Sequence, residues 1–223
     1  MSKSAEIAES AAGFAAQFDV SRETLARLTT YQALLGKWQK AVNLVGPSTL
    51  AQFWQRHAAD SAQLLAYAPP SGKIWLDLGS GAGFPALVLS ILLAERHPKA
   101  CVHMVESDRK KVNFLRTVIR ECGLTAEVHH MRIEKLADAP PPGLAQVDVI
   151  TARALAALPQ LAAYMAPFFN SSTIALLHKG REWQEELTQC REMWKLQVAA
   201  HHSLTDPAAR ILALSDLRAK PFH

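Results

Sequence analysis

Hydrophobic positions before residue 70 recur at three- and four-residue intervals, which is the spacing of an amphipathic helix. One such series comprises Leu25, Leu28, Tyr31, Leu34, Leu35 and Trp38. Ser21 precedes it and is a residue type that favours a helix N-cap. A second helical segment is predicted over about residues 48–66. The sequence APPSGK then interrupts the pattern, so we place a domain boundary near residue 70.

Beyond residue 70, short apolar runs alternate with helical segments. The strand-like runs are KIWLDL, CVHMVE, AEVHHM, VDVITA and TIALLHK, and the helical segments between them include ALVLSILLAERH, KKVNFLRTVIREC and LPQLAAYMAPFF. This alternation predicts a parallel sheet with helices on both faces. Two more strands are predicted over residues 197–204 and 210–217. We therefore predict an N-terminal helical extension over residues 1–70 and an α/β domain with a mostly parallel seven-stranded sheet over residues 71–223.

Composition and charge narrow the class of protein only slightly. Hydrophobic residues make up 49% of the chain, and 24 lysines and arginines against 20 acidic residues give a net charge of +4. This balance is compatible with a polyanionic partner without establishing one. The first residues lack an unbroken apolar core, and no later run is long enough to cross a bilayer. We therefore expect a soluble, cytoplasmic protein with no membrane partner.

The spacing of cysteines and histidines predicts no disulfide and no metal site. Cys101, Cys122 and Cys190 lie far apart, and the chain has no Cys-x-x-Cys pair. Three unpaired cysteines fit a reducing compartment. The adjacent pairs 129–130 and 201–202 are both His-His, but neighbours in a strand point to opposite faces, so neither pair forms a shared site.

The strongest chemical signal is a glycine-rich turn between the first strand and the following helix. It reads Asp77-Leu-Gly79-Ser-Gly81-Ala-Gly83. Glycine permits unusual backbone angles and close approach of a ligand, and an open parallel sheet binds ligands beyond its carboxyl strand ends. A dinucleotide fingerprint needs a glycine three residues after Gly81, where this chain has Phe84. A nicotinamide cofactor is therefore disfavoured.

S-adenosylmethionine fits the turn better, because it has an amino-acid end and a nucleoside end but no pyrophosphate. The pattern resembles that of the Rossmann-like methyltransferases, in which a carboxylate such as Asp77, or a water, takes the ammonium group. Glu106 ends the second strand, where an acid can bind ribose hydroxyls. The alternative for Glu106 is an acid favoured by the dipole of the next helix. Ile133 and Glu134 follow the third strand and either contact the adenine or belong to a solvated loop.

A longer series of motifs resembles the bacterial small-subunit ribosomal RNA guanine-N7 methyltransferases, also called glucose-inhibited division protein B. The motifs are WQKAVNLVGPSTL, RHAADSAQLL, WLDLGSGAGFPALVLSI, KVNFLR, VITARALAAL and LLHKGR, and they cover residues 38–181. The resemblance implies the Rossmann-like S-adenosylmethionine-dependent methyltransferase fold. It also implies methyl transfer to N7 of one guanine in 16S rRNA near the decoding centre, with rRNA, the small ribosomal subunit or an assembly intermediate as partner.

The resemblance further implies cofactor contacts at Gly79, Phe84, Ile133, Glu134 and Arg153. The chain departs from the family pattern in two places. This chain has NLVG where the family commonly has a threonine after NL. It has GFPALVL where the family commonly has a glycine after the proline. These departures concern details of the acceptor side and of helix packing more than the reaction. The oligomeric state stays open.

Three residues are candidates for positioning the acceptor: Arg153, His57 and Lys179. Because the N7 lone pair of guanine is unprotonated near neutral pH, we predict positioning without a catalytic dyad. Arg153 follows the fourth strand and donates either to guanine O6, to a phosphate or to the cofactor's carboxylate, or else forms a surface ion pair. His57 and Asp60, three residues apart, form a helix-stabilising pair or lie near the base. Lys179 and Arg181 contact phosphates or belong to a solvated turn.

Two other functions remain in competition at the level of sequence. One is a non-catalytic RNA-binding module that retains a cofactor pocket, and the other is an NAD(P)-dependent oxidoreductase. The glycine spacing argues against the oxidoreductase. The presence of all the predicted pocket residues argues against a vestigial pocket, because a lost pocket is free to accumulate side chains.

Overall fold

The structure is a computed structural model that describes residues 9–221. The first eight residues of the predicted extension and the last two of the predicted α/β domain lie outside the described residues. The extension contains α1 (Ala11–Phe18), α2 (Arg22–Gln39), α3 (Pro47–Leu50), a π-helical turn (Phe53–Ala59), α4 (Asp60–Ala62) and a 3₁₀ turn (Gln63–Tyr67). The predicted cap of α2 is confirmed, because the Thr24 N–H donates to Ser21 Oγ at 3.1 Å.

The segment over residues 48–66 is helical, as predicted, but it is not one regular α-helix. The segment consists of four short pieces, of which the π-helical turn Phe53–Ala59 carries wider backbone spacing than an α-helix. Tertiary contacts account for the break, since His57 and Asp60 both reach the sheet from this segment. Hydrophobic periodicity does not encode such contacts.

The sheet has seven strands, as predicted. They are β1 (Ile74–Leu78), β2 (Cys101–Glu106), β3 (Ala126–His130), β4 (Val149–Arg153), β5 (Ile174–Lys179), β6 (Trp194–His202) and β7 (Arg210–Ala219), in the order β3-β2-β1-β4-β5-β7-β6. The first five are parallel, and β7 runs antiparallel to both β5 and β6. The mostly parallel sheet is therefore confirmed, with β6 beginning three residues earlier than predicted.

Helices cover both faces of this sheet, which also confirms the prediction. The helices of the α/β part are α5 (Ala86–Arg96), α6 (Arg109–Cys122), α7 (Leu158–Met165) and α8 (Trp183–Met193), with 3₁₀ turns at Ile133–Lys135 and Ala166–Phe168. α5 and α6 pack on one face with α1 and α2, and α7 and α8 pack on the other. Among residues 9–221, none of the helices combines the length and apolar character that a membrane span requires.

The helices before the sheet share a hydrophobic core with α5 and α6. Tyr31 of α2 is fully buried against Phe53, Phe84 and Phe114. Its hydroxyl donates to the Ala82 carbonyl at 2.6 Å. Replacing the tyrosine by phenylalanine would leave that carbonyl without this partner, at a cost of about 1–3 kcal/mol if nothing replaced it. The extension thus supports the glycine turn directly, and the boundary near residue 70 stays a prediction.

The strand order places the predicted site residues at one edge of the sheet. The chain moves outward from β1 to β2 and β3, and then returns to place β4 and β5 on the other side of β1. The carboxyl ends of β1 and β4 therefore form the point at which the strand order reverses. Open α/β sheets bind ligands at such a point.

Candidate cofactor and acceptor site

A cavity of about 490 Å³ opens at the carboxyl ends of β1, β2 and β4. Its volume falls within the usual range for small-molecule sites. Seven of the nine predicted cofactor contacts line it, namely Gly79, Gly81, Phe84, Glu106, Ile133, Glu134 and Arg153. Asp77 and Gly83 are not part of the wall. The structure therefore brings residues from four separate sequence motifs to one cavity.

The glycines of the turn have different roles. Gly81 has a φ of +56°, and a Cβ added there would meet only the Gly79 carbonyl oxygen, at 3.8 Å. Gly83 has a φ of +93°, and its Cβ would lie 2.3 Å from Leu87 Cδ1. A Cβ at Gly79 would likewise clash with Leu155, at 2.6 Å. Gly81 thus leaves space for a ligand, whereas Gly83 allows the turn to pack against α5.

Glu106 connects the two strand ends beside the cavity. Its Oε2 accepts the Gly81 N–H at 2.8 Å, and its Oε1 accepts the Asp108 N–H at 2.7 Å. A carboxylate has about four lone-pair positions, so two stay available for hydroxyl donors. Asp108 caps α6 by accepting from the N–H groups of Lys110 and Lys111. The cap of this helix is therefore Asp108 and not Glu106.

Asp77 lies behind the turn and is 1% exposed. Its Oδ1 accepts from Thr151 Oγ1 at 2.5 Å, whereas its Oδ2 has no hydrogen-bond partner among residues 9–221. Burial raises the pKa of Asp77 from 3.8 to about 6, against the opposing effects of the Ser80 hydroxyl and then of the Thr151 hydroxyl. An unpaired carboxylate oxygen in the interior is costly, and a nearby ammonium group or a water would satisfy it. The residue therefore fits a site that takes a cationic amino-acid end.

The electrostatics of Asp77 predict that it opposes folding above pH 6. Because its folded-state pKa lies above the ordinary value, the free energy of unfolding should fall as the pH rises from about 4 to 6. We expect Asp77→Asn to stabilise the cofactor-free protein at pH 7.5 by up to about 3 kcal/mol and to weaken S-adenosylhomocysteine binding. Urea unfolding at pH 4.5 and 7.5 measures the first effect, and calorimetric titration measures the second. An equal gain at both pH values would contradict this account.

Arg153 contacts the other residues of the predicted acceptor side that lie near it, His57 and Asp60. At the end of β4, its Nη1 donates to Asp60 Oδ2 and to the Arg56 carbonyl, both at 3.2 Å. Its Nη2 donates to His57 Nδ1 at 3.2 Å. The guanidinium also lies 5.0 Å from the centre of the Phe84 ring. These contacts use three of the five N–H donors of the guanidinium, whose side chain is 19% exposed.

His57 orients Arg153 as an uncharged imidazole at neutral pH, with one ring nitrogen protonated. Burial, followed by the charge of Arg153, lowers the pKa of His57 to about 4. Because a guanidinium can only donate, Nδ1 is the acceptor, and the Nε2–H faces Thr49 Oγ1 at 3.2 Å. The imidazole stacks on Phe84 with ring centres 4.5 Å apart.

Asp60 supports the same arginine from the other side. Burial would raise the pKa of Asp60, but His178, Arg153 and the hydrogen bond from Thr205 together hold it below its ordinary value. The Thr205 hydroxyl donates to Asp60 Oδ1 at 2.6 Å, and His178 Nε2 lies 2.8 Å from the Asp60 carbonyl oxygen. Asp60 thus links the extension, β5 and the loop before β7 around Arg153.

A second cavity, of about 520 Å³, adjoins the first and shares residues 153–156 with it. Its wall includes His178, Lys179 and Glu186. The Lys179 ammonium lies 2.5 Å from Glu186 Oε2 and donates to the Ala156 carbonyl at 3.0 Å. Because Lys179 is only 7% exposed, the solvated-turn alternative is wrong for it. Ala154, between the two cavities, has a φ of +52°, a backbone conformation that favours glycine.

Sequence reasoning missed part of the first cavity's wall. Leu44 and Val45 line it from the segment after α2. Gln39 fixes this segment, since its Oε1 accepts the N–H groups of both residues at 3.0 Å and its Nε2 donates to the Val45 carbonyl at 2.8 Å. Tyr164 of α7 also lines the cavity and donates to Glu134 at 3.0 Å. Leu44 and Val45 fall inside the WQKAVNLVGPSTL motif, which was the available sequence signal for this part of the wall.

Comparison with known proteins identifies relatives over most of the chain. The family model described as GidB, rRNA small subunit methyltransferase G, matches residues 24–211. The chain is 48% identical to the ribosomal RNA small subunit methyltransferase G of Parvibaculum lavamentivorans, over 92% of this chain and 88% of that protein. The protein of the same name from Rhodospirillum centenum is also 48% identical, over 93% and 91% respectively. That from Rhizobium meliloti is 42% identical, over 89% and 92%.

Two solved structures resemble this chain in fold. A SAM-dependent methyltransferase from Aquifex aeolicus has a TM-score of 0.56 and 18% identity, covering 80% of this chain and 97% of that one. An O-methyltransferase from Bacillus cereus, in complex with SAH, has a TM-score of 0.57 and 12% identity, covering 86% and 91%. At these identities the likeness shows the fold alone, and the predicted Rossmann-like methyltransferase fold is confirmed. On the family model and the close relatives together, the chain belongs to the rRNA small subunit methyltransferase G family.

Proposed function

We propose that this protein transfers a methyl group from S-adenosylmethionine to N7 of one guanine in 16S rRNA, near the decoding centre. Family membership establishes the coarser reaction, methyl transfer to small-subunit rRNA, and S-adenosylmethionine is the cofactor of this family. The base, the atom and its position in the rRNA rest on the resemblance of the motifs. Membership also favours catalysis over the non-catalytic module and the oxidoreductase.

The first cavity holds the cofactor in this proposal. Glu106 accepts hydrogen bonds from the ribose hydroxyls with the lone pairs that its backbone contacts leave. Ile133 and Glu134 contact the adenine, and the backbone of Gly81 lies against the part of the cofactor between its two ends. Asp77 complements the positive charge of the ammonium group from behind the turn. When bound, the cofactor supplies an electrophilic methyl group on a sulfonium.

Glu106→Gln tests the ribose assignment. We expect the variant to bind S-adenosylhomocysteine roughly 10- to 100-fold more weakly, because hydrogen bonds to a charged acceptor contribute about 1.5–3 kcal/mol. Calorimetric titration measures this loss. Asp108→Asn is the control, since it weakens the cap of α6 without removing a cavity carboxylate.

Loss of the Gly81 hydrogen bond would also weaken binding, so a ligand lacking one ribose hydroxyl separates the two causes. The wild type should discriminate against a 2′-deoxy analogue of S-adenosylhomocysteine, and Glu106→Gln should discriminate much less. Equal discrimination by both proteins would remove Glu106 from the ribose site.

The position of Arg153 between the two cavities carries the acceptor part of the proposal. The guanine occupies the second cavity, and the unused N–H donors of Arg153 face its O6 while N7 stays free to react. An arginine beside O6 favours guanine over adenine, which has an amino group there. No general base is required, because the N7 lone pair is unprotonated. His57 and Asp60 act through Arg153 by fixing its orientation, and the Lys179–Glu186 pair orders the cavity wall.

The acceptor is 16S rRNA, presented as naked RNA, in the small subunit or in an assembly intermediate. The net charge of +4 favours a polyanionic partner. The base has to leave its stack to reach a cavity, as in other enzymes that modify bases. A ribosomal acceptor also fits the cytoplasmic localisation expected from the sequence.

Mass mapping of methylated nucleotides tests the proposal. Small subunits and naked 16S rRNA from cells that lack this gene are incubated with the purified protein and S-adenosylmethionine. We expect one guanine to gain one methyl group and to become sensitive to the strand cleavage that N7 methylation permits. Methylation of another base or atom would overturn the guanine-N7 assignment, and the relative yield on the two substrates would identify the preferred acceptor.

A further inference from the structure

His103, Glu127 and His129 form a cluster outside both cavities. In the parallel register of β2 and β3, His103 pairs with Glu127, and Val105 pairs with His129. Because alternate residues of a strand point to the same face, all three side chains project from one face of the sheet. Residues 129 and 130 have separate partners, as expected for neighbours that point to opposite faces of a strand. The pattern within one strand gave no sign of a partner on the neighbouring strand.

The potential ligand atoms of this cluster lie close together. His103 Nδ1 is 3.0 Å from His129 Nε2 and 3.8 Å from Glu127 Oε2, and all three ligand atoms lie within 4.8 Å of one another. Two ligands at about 2.05 Å from a tetrahedral zinc ion are about 3.3 Å apart. The observed distances lie on both sides of that value. The two imidazole planes are within 9° of parallel.

The cluster combines a fixed ligand with an open approach. His103 is 2% exposed, and a Cβ on Gly143 would lie 3.0 Å from its Cε1, so the backbone of Gly143 closely covers that edge of the ring. The side chain of Glu127 is 59% exposed, and β3 is an edge strand. An ion could therefore enter from solvent along Glu127 and meet a preoriented imidazole.

The protonation state of the histidines suits metal binding. Burial lowers the pKa of His103. Burial is also the largest of the influences that lower the pKa of His129. Both imidazoles are therefore neutral near pH 7, and a proton does not compete with a metal ion. In the metal-free contact one imidazole donates to the other. On binding, that donor would move its proton to its other ring nitrogen, with no change in total charge.

We propose that His103 Nδ1, His129 Nε2 and Glu127 Oε2 bind one divalent cation of the zinc class. Two histidines and a carboxylate form a known zinc ligand set, and imidazole ligands suit zinc, cobalt, nickel and copper better than magnesium or calcium. The fourth tetrahedral position is open to water. The bound ion would tie the edge strand β3 to β2.

Calorimetric titration of the tag-free, metal-free full chain with Zn²⁺ tests this site. We expect one equivalent to bind, and we expect Glu127→Gln and His129→Ala to weaken the affinity at least tenfold. His130→Ala is the matched control, because His130 is adjacent on the same strand and contacts the Ser107 carbonyl instead. The Zn²⁺ affinity of His130→Ala should equal that of the wild type. Co²⁺ should give the visible absorption of a tetrahedral site in the wild type and in His130→Ala only.

Two results would overturn the proposal. One is the absence of saturable binding at one equivalent, and the other is equal weakening by His129→Ala and His130→Ala, which would indicate adventitious binding by surface histidines. If His129→Ala fails to unfold cooperatively, Glu127→Gln decides, since its exposed side chain can change without disturbing the core. An unchanged affinity in Glu127→Gln would then exclude Glu127 as a ligand and overturn the proposed ligand set.

Discussion

Gly81→Val is expected to abolish cofactor binding, with a loss of at least 100-fold in affinity for S-adenosylhomocysteine, while the sheet and its helices stay folded. A Cβ at this position meets only the Gly79 carbonyl oxygen, at 3.8 Å, so the fold has room for the new side chain. Gly81 is part of the wall of the first cavity, so the side chain takes up space there. The valine therefore occupies the volume that the ligand needs.

Backbone strain is a second consequence of this substitution, and it has to be separated from blocking. Gly81 has a φ of +56°, which costs a residue with a side chain about 1–2 kcal/mol. Gly123→Val is a matched control, because Gly123 has a φ of +60°, has nothing within 4 Å of an added Cβ and ends α6 away from the cavity. It should lower the melting temperature by a similar amount and bind the cofactor normally.

Gly83→Ala provides the opposite comparison. Its Cβ would lie 2.3 Å from Leu87 Cδ1 and 3.1 Å from Leu115 Cδ2, so the core has to shift and the protein loses stability more than affinity. Calorimetry and thermal unfolding of the three variants together measure both quantities. If Gly81→Val and Gly123→Val lost cofactor affinity equally, strain and not occlusion would explain the effect.

The sequence predicted the sheet well because strand and helix patterns are local. Alternating apolar runs located all seven strands, and the position of Gly79 and Gly81 after β1 placed the cavity. The irregular course of the helical segment over residues 48–66 has a tertiary cause. His57 and Asp60 have to reach Arg153 across the sheet edge, and the backbone adopts a π-helical turn there instead of a regular helix.

The limits at the site have the same origin. Site residues at or directly after strand ends could be predicted from the sequence, because the carboxyl ends of parallel strands form the edge of the sheet that binds ligands. Leu44 and Val45 were missed because the fold of the segment after α2 depends on Gln39 hydrogen bonds. The contact between His103 and His129 depends on strand register, which periodicity within one strand does not give. The separate duties of Gly81 and Gly83 required knowing which side chains each would meet.

Arg153→Ala is expected to reduce single-turnover methylation at saturating cofactor by about 100-fold or more. The reaction depends on positioning, and a displacement of about 1 Å at a reacting group can cost about 10²-fold. The structure holds this guanidinium by Asp60, His57 and Phe84 beside both cavities. If Arg153 mainly binds the cofactor's carboxylate, the dissociation constant of S-adenosylhomocysteine should also rise about tenfold or more. If it mainly orients guanine, that constant should change little.

The variant has a stability cost that must not be mistaken for catalysis. Removing Arg153 leaves Asp60, whose side chain is 14% exposed, without its guanidinium partner, and breaking a buried ion pair costs about 3–5 kcal/mol. The double variant Arg153→Ala, Asp60→Asn removes the unpaired charge and should recover much of the lost stability. Methylation should not recover with it. Recovery of both would show that Arg153 acts only by holding the fold.

Arg153→Lys separates charge from geometry in the same assay. Lysine keeps the positive charge but lacks the planar fork that donates to Asp60 and His57 while leaving donors for a ligand. We therefore expect poor methylation by the lysine variant, even where its ion pair with Asp60 preserves the melting temperature. Near-normal methylation by both the alanine and the lysine variants would place the acceptor elsewhere.

The wild-type methylation rate should be level between pH 6.5 and 8, because His57 has a pKa of about 4 and is neutral above pH 6. A steep pH dependence in that range would mean that a titrating group, and not positioning by a permanently charged arginine, controls the transfer.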